Sequence, residues 1–474
     1  MIVHKFGGTS VGNAQRFSDV ADIVIEHHQG TSSTETCETV VVLSAMSGVT
    51  DQLIAGARAA AEGKDTVYRD IKAGLLSRHI DVLETLLNHS RERLEVGGLV
   101  EDRLHELERL YRSIAVLGEL TARGRDVVAS FGEQLSVSIL AALLRERKVR
   151  ARALSAAQLI VTDDNFGQAR PLMRQTRRCL QQRLVPLLER GVIPVITGYI
   201  AATEEEVPTT LGRGGSDFSA ALIGAGLDAS EVWIWSDVDG ILTADPNIVP
   251  QAHTLTELSY SEAADLAYFG ADVLHPKTIR PVTERGIPLR IVNSFNPTHR
   301  GTLIVETPSP DRERLPAIIS TPGLSLIAIG SQDDSWTLPM AARALQRLSE
   351  AGLDVLMFSQ SFSEHSLNLV VREQDQAHCL KTLRREFERD IQNKVCRLGT
   401  KEQVATISVV GVPGWNETGI VSHAFAALGK HRTRVIAVAQ AATEYSVSFC
   451  IPEEQVMDTV RFLHRELGLE NSHA

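Results

Sequence analysis

The sequence is poor in cysteine, in long apolar runs and in clustered positive charge. Its 5 cysteines among 474 residues are scattered, without the pair spacing of a metal site, so we expect reduced, structural thiols. No apolar stretch approaches the roughly 20 residues of a membrane-spanning helix, which argues against a membrane partner. The net charge of −11 argues against a nucleic-acid partner. Since no signal pattern precedes the first strand-like run at Ile2, we expect a cytoplasmic protein.

A chain of this length is expected to fold into two or more domains. Its first half alternates short β-branched runs with helical patterns. This predicts an α/β domain over 1–305, in three αβα layers around a mostly parallel central sheet. The clearest strand-like runs are 2–6, 40–43, 192–196, 232–235 and 289–292. Segment 306–315 is rich in proline and mixed charge, so we expect a linker there.

An internal repeat follows the linker. Val355 aligns with Val435 and Gln360 with Gln440, in each case just before a second strand-like run. The first copy, 323–399, has the pattern of a complete α+β unit of the order βαββαβ, whereas the second copy lacks its last strand. The spare run at 317–320 can supply that strand. We therefore predict that the first copy is inserted in the second, which would comprise 316–322 and 400–474.

Small residues and glycines follow the first two predicted strands. Lys5 precedes Gly7-Gly8-Thr9-Ser10, a turn into a helix in which backbone amides can approach a phosphate. Ser44 and Thr50 follow the second strand, at the sheet edge where parallel sheets bind ligands. Taken singly, these segments are equally compatible with an ordinary turn and an ordinary helix cap.

A third cluster, 210–217, surrounds Arg213 with glycines and ends in Ser216 and Asp217 at a helix start. An arginine fork binds carboxylates through two hydrogen bonds, so this cluster favours a binding site, although Ser216 or Asp217 can be a plain N-cap. Glu133 begins another helix, where the helix dipole alone favours an acid. Segments 235–240 and 270–277 are candidate nucleotide contacts or simply an acidic loop and a helix end.

Together these segments resemble the aspartate kinases of the amino-acid-kinase family over nearly the whole chain. The resemblance implies transfer of a phosphoryl group from ATP, with Mg²⁺, to the side-chain carboxylate of L-aspartate. It assigns catalytic roles to Lys5 and Asp217. The residues that it assigns to the substrate are Ser44, Thr50, Glu133, Arg213, Gly214, Gly215 and Ser216. Those that it assigns to ATP are Lys5, Gly7, Gly8, Thr9, Ser10, Ser236, Asp237, Leu242, Asn247, Asp272, Val273 and Lys277.

Three of these ATP positions depart from the family pattern: Leu242, Asn247 and Asp272 stand where Tyr, Arg and Lys are frequent. The C-terminal repeat resembles paired ACT domains, which bind amino acids at dimer interfaces. This implies a homo-oligomer, with dimers formed through the ACT domains, and inhibition by lysine, threonine or both. The implied regulatory residues are Ser331, Leu338, Gln360, Ser363, Glu364, Gln440 and Glu444. Ordinary hairpin polarity also explains Glu364 and Glu444.

Two alternatives remain open at this point. A related kinase could act on glutamate, acetylglutamate, carbamate or uridylate, but Arg213 and Glu133 suit an α-amino-acid head, which carbamate and uridylate lack. A catalytically inert amino-acid sensor would not need Lys5 and Asp217. In the aspartate reaction the nucleophilic carboxylate is already ionised at neutral pH, so no general base is needed. Positioning and charge stabilisation would then carry the catalysis.

Overall fold

The computed structural model describes residues 1–29, 37–88, 91–268, 274–310, 315–331, 336–361, 365–411, 419–440 and 446–470. The chain forms two compact units. The first comprises Met1–Ile241, Thr256–Ala263 and Asp272–Pro310, and the second comprises Leu242–Leu255, Ala264–Ala271 and Asp311–Ala474. Two segments, Leu242–Leu255 and Ala264–Ala271, therefore depart from the predicted continuous domain over 1–305. The other predicted domain limits stay predictions.

The first ten strands belong to the first unit. They are β1 (Ile2–Phe6), β2 (Thr39–Leu43), β3 (Ala151–Leu154), β4 (Ile193–Thr197), β5 (Ile200–Ala202), β6 (Pro208–Thr210), β7 (Glu231–Ser236), β8 (Glu257–Ser259), β9 (Leu289–Asn293) and β10 (Thr302–Val305). The helices that precede or separate them are α1 (Ala14–Gln29), α2 (Val49–Ala61), α3 (Asp65–Leu86), α4 (Arg91–Leu117), α5 (Ala122–Ala129), α6 (Phe131–Glu146), α7 (Met173–Arg183), α8 (Val185–Leu188), α9 (Gly215–Leu227), α10 (Tyr260–Tyr268) and α11 (Pro276–Thr283).

The central sheet has eight strands in the order β3-β4-β2-β1-β7-β9-β10-β8. Its neighbouring strands run parallel except for the antiparallel pair β9 and β10. This confirms the prediction of a mostly parallel sheet. Strands β2 and β4 are buried along their whole length, because helices cover both faces of such a sheet.

Helices pack on each face of this sheet. On one face, α1, α2, α3, α4 and α6 share a single apolar core with β1 and β2. On the other face, α9 approaches so closely that a Cβ on Gly224 would lie 2.5 Å from Cγ2 of Val232 in β7. Helix α7 packs on α9 in turn, since a Cβ on Gly226 would lie 2.3 Å from Leu180. The three-layer prediction is confirmed.

One expectation from the sequence is wrong. The segment Ala122–Glu146, which contains α5 and α6, is long and apolar enough to cross a membrane by length and composition. Within the fold, however, 89% of its most apolar stretch is buried. The apolar residues of α6 face the sheet and neighbouring helices, as is usual for the central helix of a large core.

Besides Ala264–Tyr268 of α10, the second unit contains the remaining strands and helices. Its strands are β11 (Ala317–Gly330), β12 (Met357–Ser361), β13 (Ser366–Arg372), β14 (Arg397–Val410), β15 (Ala437–Gln440) and β16 (Ser446–Pro452). Its helices are α12 (Leu338–Glu350), α13 (Glu373–Glu386), α14 (Glu388–Gln392), α15 (Gly419–Lys430) and α16 (Val456–Glu466).

These six strands form one antiparallel sheet in the order β12-β13-β11-β14-β16-β15. Strand β11 serves both repeats, with an irregularity between Thr321 and Leu324. Its second part pairs with β13 and with the start of β14, and its first part, Ala317 to Thr321, pairs with the end of β14. The spare strand therefore does lie beside a strand of the second repeat, but the two repeats share one continuous sheet.

The segment Leu242–Leu255 joins the second unit through packing. Ala244 and Val249 belong to the apolar cluster that contains Phe449 of β16 and Leu463 of α16. The Ile318 amide donates to the Thr243 carbonyl at 2.8 Å. These contacts join residues that are far apart in the chain. Sequence composition therefore could not show that this segment packs with the second unit.

Candidate active site

A cavity of about 710 Å³ lies in the first unit, lined by segments that follow β1, β2 and β4 and by the loop before α9. Ligands of parallel sheets bind at this edge. The cavity brings together all seven residues that we predicted for the substrate and three predicted for catalysis or ATP. They are Lys5, Gly8, Ser44, Thr50, Glu133, Arg213, Gly214, Gly215, Ser216 and Asp217. Their individual roles stay predictions.

Lys5 and Asp217 form an ion pair at the wall of the cavity. Lys5 Nζ lies 2.6 Å from Asp217 Oδ1, and the two side chains are 11% and 14% exposed. Lys5 projects from β1, which has parallel neighbours on both sides, and Asp217 lies in the first turn of α9, where the helix dipole favours an acid. The pair holds the ammonium group in place while leaving it accessible to an anion.

Glycine is required where the loops around this pair approach each other. A Cβ on Gly8 would lie 3.0 Å from the Ala45 carbonyl oxygen, and a Cβ on Gly214 would lie 2.4 Å from Cβ of His275. Gly214 also has a φ of 67°, in the left-handed region that other residues rarely adopt. The density of glycine beside Arg213 is thus a requirement of backbone packing.

Arg213 and Glu133 are available to a ligand. Arg213 is exposed and forms no ion pair with any residue that the structure describes. Glu133 is 3% exposed, and its Oε2 has no hydrogen-bond partner in the described parts of the chain. Burial raises the pKa of Glu133 to about 8, against an opposing effect of the Ala45 backbone amide. An ammonium group bound beside Glu133 would favour its ionised form.

Arg78 of α3 lies outside the cavity lining but contacts two loops beside it, and no sequence pattern predicted this. Its guanidinium donates from Nη1 to the Ser47 carbonyl at 2.9 Å and from Nη2 to the Gly12 carbonyl at 3.0 Å. It therefore ties together the loops that follow β1 and β2. The sequence reasoning also missed Arg125, Asp126, Gln168 and Tyr199, which line the cavity. No local motif marks these residues, because their positions depend on distant segments.

Other predicted ATP residues lie outside the cavity lining. Ser10 is 1% exposed and its hydroxyl lies 2.8 Å from that of Ser294, which also donates to the Ser236 carbonyl at 3.0 Å. The Ser236 hydroxyl donates to Asp237 Oδ1 at 3.2 Å. Ser10 and Ser236 thus take part in hydrogen bonds within the protein, and their assignment to ATP stays a prediction. Gly7, Thr9 and Lys277 also lie outside the lining set, although a Cβ on Gly7 would lie 3.4 Å from Lys5 Nζ.

The remaining ATP positions fall elsewhere. Leu242 and Asn247 belong to the second unit. Asp272 and Val273 lie outside the described residues.

The predicted regulatory residues belong to the second unit. Ser331 is buried and its amide donates to the His365 carbonyl, whereas Leu338, at the start of α12, is 69% exposed. Gln360 of β12 lies opposite Leu367, and Gln440 of β15 lies opposite Val447. Ser363, Glu364 and Glu444 lie outside the described residues. The regulatory assignment stays a prediction.

Comparisons with known proteins identify the families to which the two parts of the chain are similar. Residues 1–293 match the amino acid kinase family, and residues 337–387 and 407–467 match an ACT domain. The chain is 31% identical to aspartokinase 1 of Arabidopsis thaliana, covering 98% of this chain and 79% of that protein. It is 32% identical to an Arabidopsis bifunctional aspartokinase/homoserine dehydrogenase, of which it spans only 51%.

A solved structure is similar over the whole chain. Aspartokinase III of E. coli in complex with aspartate and ADP has a TM-score of 0.80 and 28% identity, covering 99% of this chain and 100% of that one. The chain therefore belongs to the amino acid kinase family and, within it, to the aspartokinases that carry C-terminal ACT domains.

We predict that Lys5→Ala abolishes turnover while the protein stays folded. Loss of a cation beside a transferred phosphoryl group lowers kcat by about 100-fold or more. Steady-state kinetics and thermal unfolding would measure both effects. Lys72→Ala is the matched control, because Lys72 forms a comparably buried pair with Glu108 at 3.5 Å, away from the cavity. Equal losses of activity in the two variants would contradict the prediction.

We predict a pH-dependent stability difference between the wild type and Glu133→Gln. Since the folded pKa of about 8 exceeds the ordinary value of 4.5, the folded protein retains a proton that the unfolded chain has released. The wild type should lose, relative to the variant, up to about 1.4 kcal/mol of unfolding free energy per pH unit between these values.

Chemical unfolding of the ligand-free proteins between pH 5 and 9 would measure this difference. The exposed Glu119→Gln serves as the control and should follow the wild type. Parallel pH curves for the wild type and Glu133→Gln would show that Glu133 is ionised in the folded protein.

Proposed function

We propose that this chain transfers the γ-phosphoryl group of ATP to the side-chain carboxylate of L-aspartate, which yields 4-phospho-L-aspartate. The observation that carries the proposal is one cavity in which the Lys5–Asp217 pair, the exposed Arg213 and the buried Glu133 meet. The similar E. coli aspartokinase III was solved with aspartate and ADP, which supports the same pair of ligands. The reaction would be that of an aspartokinase.

The amino-acid head of the substrate suits two cavity residues. Arg213 can grip the α-carboxylate through two parallel hydrogen bonds, and Glu133 can accept hydrogen bonds from the α-ammonium group. Oε2 of the buried Glu133 has no hydrogen-bond partner among the described residues. An ammonium group beside it would offset the free-energy cost of desolvating the charged carboxylate. The side-chain carboxylate then remains free to attack.

Phosphoryl transfer requires charge stabilisation and alignment rather than a base. The attacking carboxylate is ionised, and Lys5 with the amides of the turn after β1 can offset charge on the phosphate oxygens. Bound with ATP, Mg²⁺ would neutralise further charge on those oxygens. Within the described residues no group of three or more His, Cys, Asp or Glu could hold a metal by itself. A magnesium ion that is carried by the phosphates of the nucleotide would not need such a group. Asp217, which pairs with Lys5, would be the nearby carboxylate.

The ACT half supports regulation by an amino acid. The structure of E. coli aspartokinase III has also been solved in complex with lysine and aspartate. This chain is similar to that structure with a TM-score of 0.78. We propose that lysine, threonine or both inhibit this chain through its ACT unit, and that it forms a homodimer through that unit. The activity would be the first step towards lysine, threonine and methionine in the cytoplasm, without nucleic-acid or membrane partners.

We predict that Arg213→Ala chiefly raises the KM for aspartate, by about tenfold or more, because it removes a charge-assisted bidentate contact. The KM for ATP should change much less. A coupled assay of ADP release would measure both constants. Arg280→Ala is the control, since Arg280 is an exposed arginine of α11 that pairs with Glu284 outside the cavity.

The same assay tests the substrate itself. Wild-type protein should release ADP with L-aspartate and not with glutamate, acetylglutamate, carbamate or uridylate. ADP release with glutamate in preference to aspartate would move the assignment to another amino-acid kinase. The absence of ADP release with every acceptor would favour the inert sensor.

We predict that millimolar lysine, threonine or their combination lowers aspartate kinase activity. An effector that binds one conformation of the ACT unit better shifts the population of the kinase towards that conformation. Titration of each amino acid, with alanine as the control, would measure the inhibition. Unchanged activity in the presence of lysine and threonine together would remove the regulatory proposal.

A further inference from the structure

Asp126 is a buried carboxylate for which the proposed chemistry has no direct use. It lies on α5, is 1% exposed and lines the cavity. Its Oδ2 accepts hydrogen bonds from the backbone amides of Gly167, at 2.7 Å, and Thr210, at 2.9 Å. Its Oδ1 accepts from the Thr210 hydroxyl at 2.8 Å. Every one of these donors comes from a segment remote from α5 in the sequence.

The two segments that Asp126 joins form one wall of the cavity. Gly167 belongs to the loop between β3 and α7, and Thr210 ends β6, just before Gly212 and Arg213. The segments also contact each other directly, since the Ala169 amide donates to the Thr210 carbonyl at 3.0 Å. A Cβ on Gly212 would lie 3.1 Å from the Gly167 carbonyl oxygen, so the two backbones pack tightly.

Burying a carboxylate at this position costs free energy unless its hydrogen bonds compensate for the loss of water. Burial raises the pKa of Asp126, and the hydrogen bonds from Gly167 and Thr210 oppose that effect. An apolar residue would leave the buried Thr210 amide without its partner, at a cost of about 1–3 kcal/mol, and the partly buried Gly167 amide as well. The carboxylate therefore determines where these two loops lie relative to α5, and α6 with Glu133 follows directly on α5.

We infer that Asp126 is a positioning residue for the acidic substrate. It holds the Gly167 loop and the start of the Arg213 loop in a fixed position relative to Glu133. This inference rests on the proposed function. Among the described residues, Asp126 hydrogen-bonds to Gly167 and Thr210 and forms no hydrogen bond with the turn after β1 or with the Lys5–Asp217 pair. Substitution of Asp126 should consequently raise the KM for aspartate much more than the KM for ATP.

The kinetic test compares three substitutions. Asp126→Ala should raise the KM for aspartate about tenfold or more, with the KM for ATP changed by no more than about twofold. Asp126→Asn should restore most of the affinity, because its amide oxygen can accept from both backbone amides while its Nδ2 donates to the Thr210 hydroxyl. Thr210→Val keeps the backbone amide but removes the hydroxyl contacts to Asp126 and to Tyr199, and should have an intermediate effect.

A control separates positioning from general stability. Glu262 is also a buried carboxylate that accepts from a backbone amide, that of Ser259 at 2.7 Å, but it does not line the cavity. Glu262→Ala should lower the thermal stability while leaving both KM values close to those of the wild type. Hydrogen exchange at the Gly167 and Thr210 amides should be faster in Asp126→Ala and near that of the wild type in Asp126→Asn.

The outcomes distinguish this inference from the proposed function. If the wild type fails to phosphorylate aspartate, the function is wrong, and the exchange rates still test whether Asp126 holds the loops. The positioning role is overturned if exchange at Gly167 and Thr210 is unchanged in Asp126→Ala. It is also overturned if the KM values for aspartate and ATP rise in parallel in Asp126→Ala. A wild-type affinity for aspartate in Thr210→Val together with a lowered affinity in Asp126→Asn would overturn it too. Should Asp126→Ala fail to fold, the other two variants decide by the same measures.

Discussion

The ion pair between Lys5 and Asp217 is the interaction on which the site depends. It joins the end of a central strand, β1, to the first turn of α9, two elements more than 200 residues apart in the chain. Because both side chains are largely buried, their separation of 2.6 Å sets the position of the ammonium group within the cavity. A lysine free to rotate would need to be ordered by the ligand at an entropic cost. The pair places the charge in advance.

The rest of the cavity follows the same principle of placing polar groups before a ligand arrives. Arg78 ties together the two loops that follow β1 and β2, and Asp126 ties together the two that line the opposite wall. These contacts use backbone amides and carbonyls, which have to be satisfied wherever they are buried. Among the described residues, Arg213 forms no ion pair and Oε2 of Glu133 has no hydrogen-bond partner, which is why we propose that these two groups bind an α-amino acid.

The C-terminal unit shows how two similar repeats can form one structure. Strand β11 runs through both, and the irregularity near Leu324 lets its two parts pair with different partners. Each repeat retains its own apolar core, one around Ile327 and Leu383 and the other around Ile407 and Phe449. Because β11 belongs to both repeats, a displacement of this strand would alter the strand pairing of both.

The amino-acid sequence by itself determined the features that depend on neighbouring residues. Continuous apolar runs identified strands such as β2 and β4, and glycine beside charge identified the segments around Lys5 and Arg213. Only the tertiary structure decided that Asp126 lines the site and that Arg78 joins two loops beside it. It also decided that the Ser10 and Ser294 hydroxyls form a hydrogen bond and that Leu242–Leu255 packs with the second unit. Those contacts join residues distant in the chain. No local pattern encodes such partners, because a side chain's hydrogen bonds and burial depend on which segments folding brings beside it.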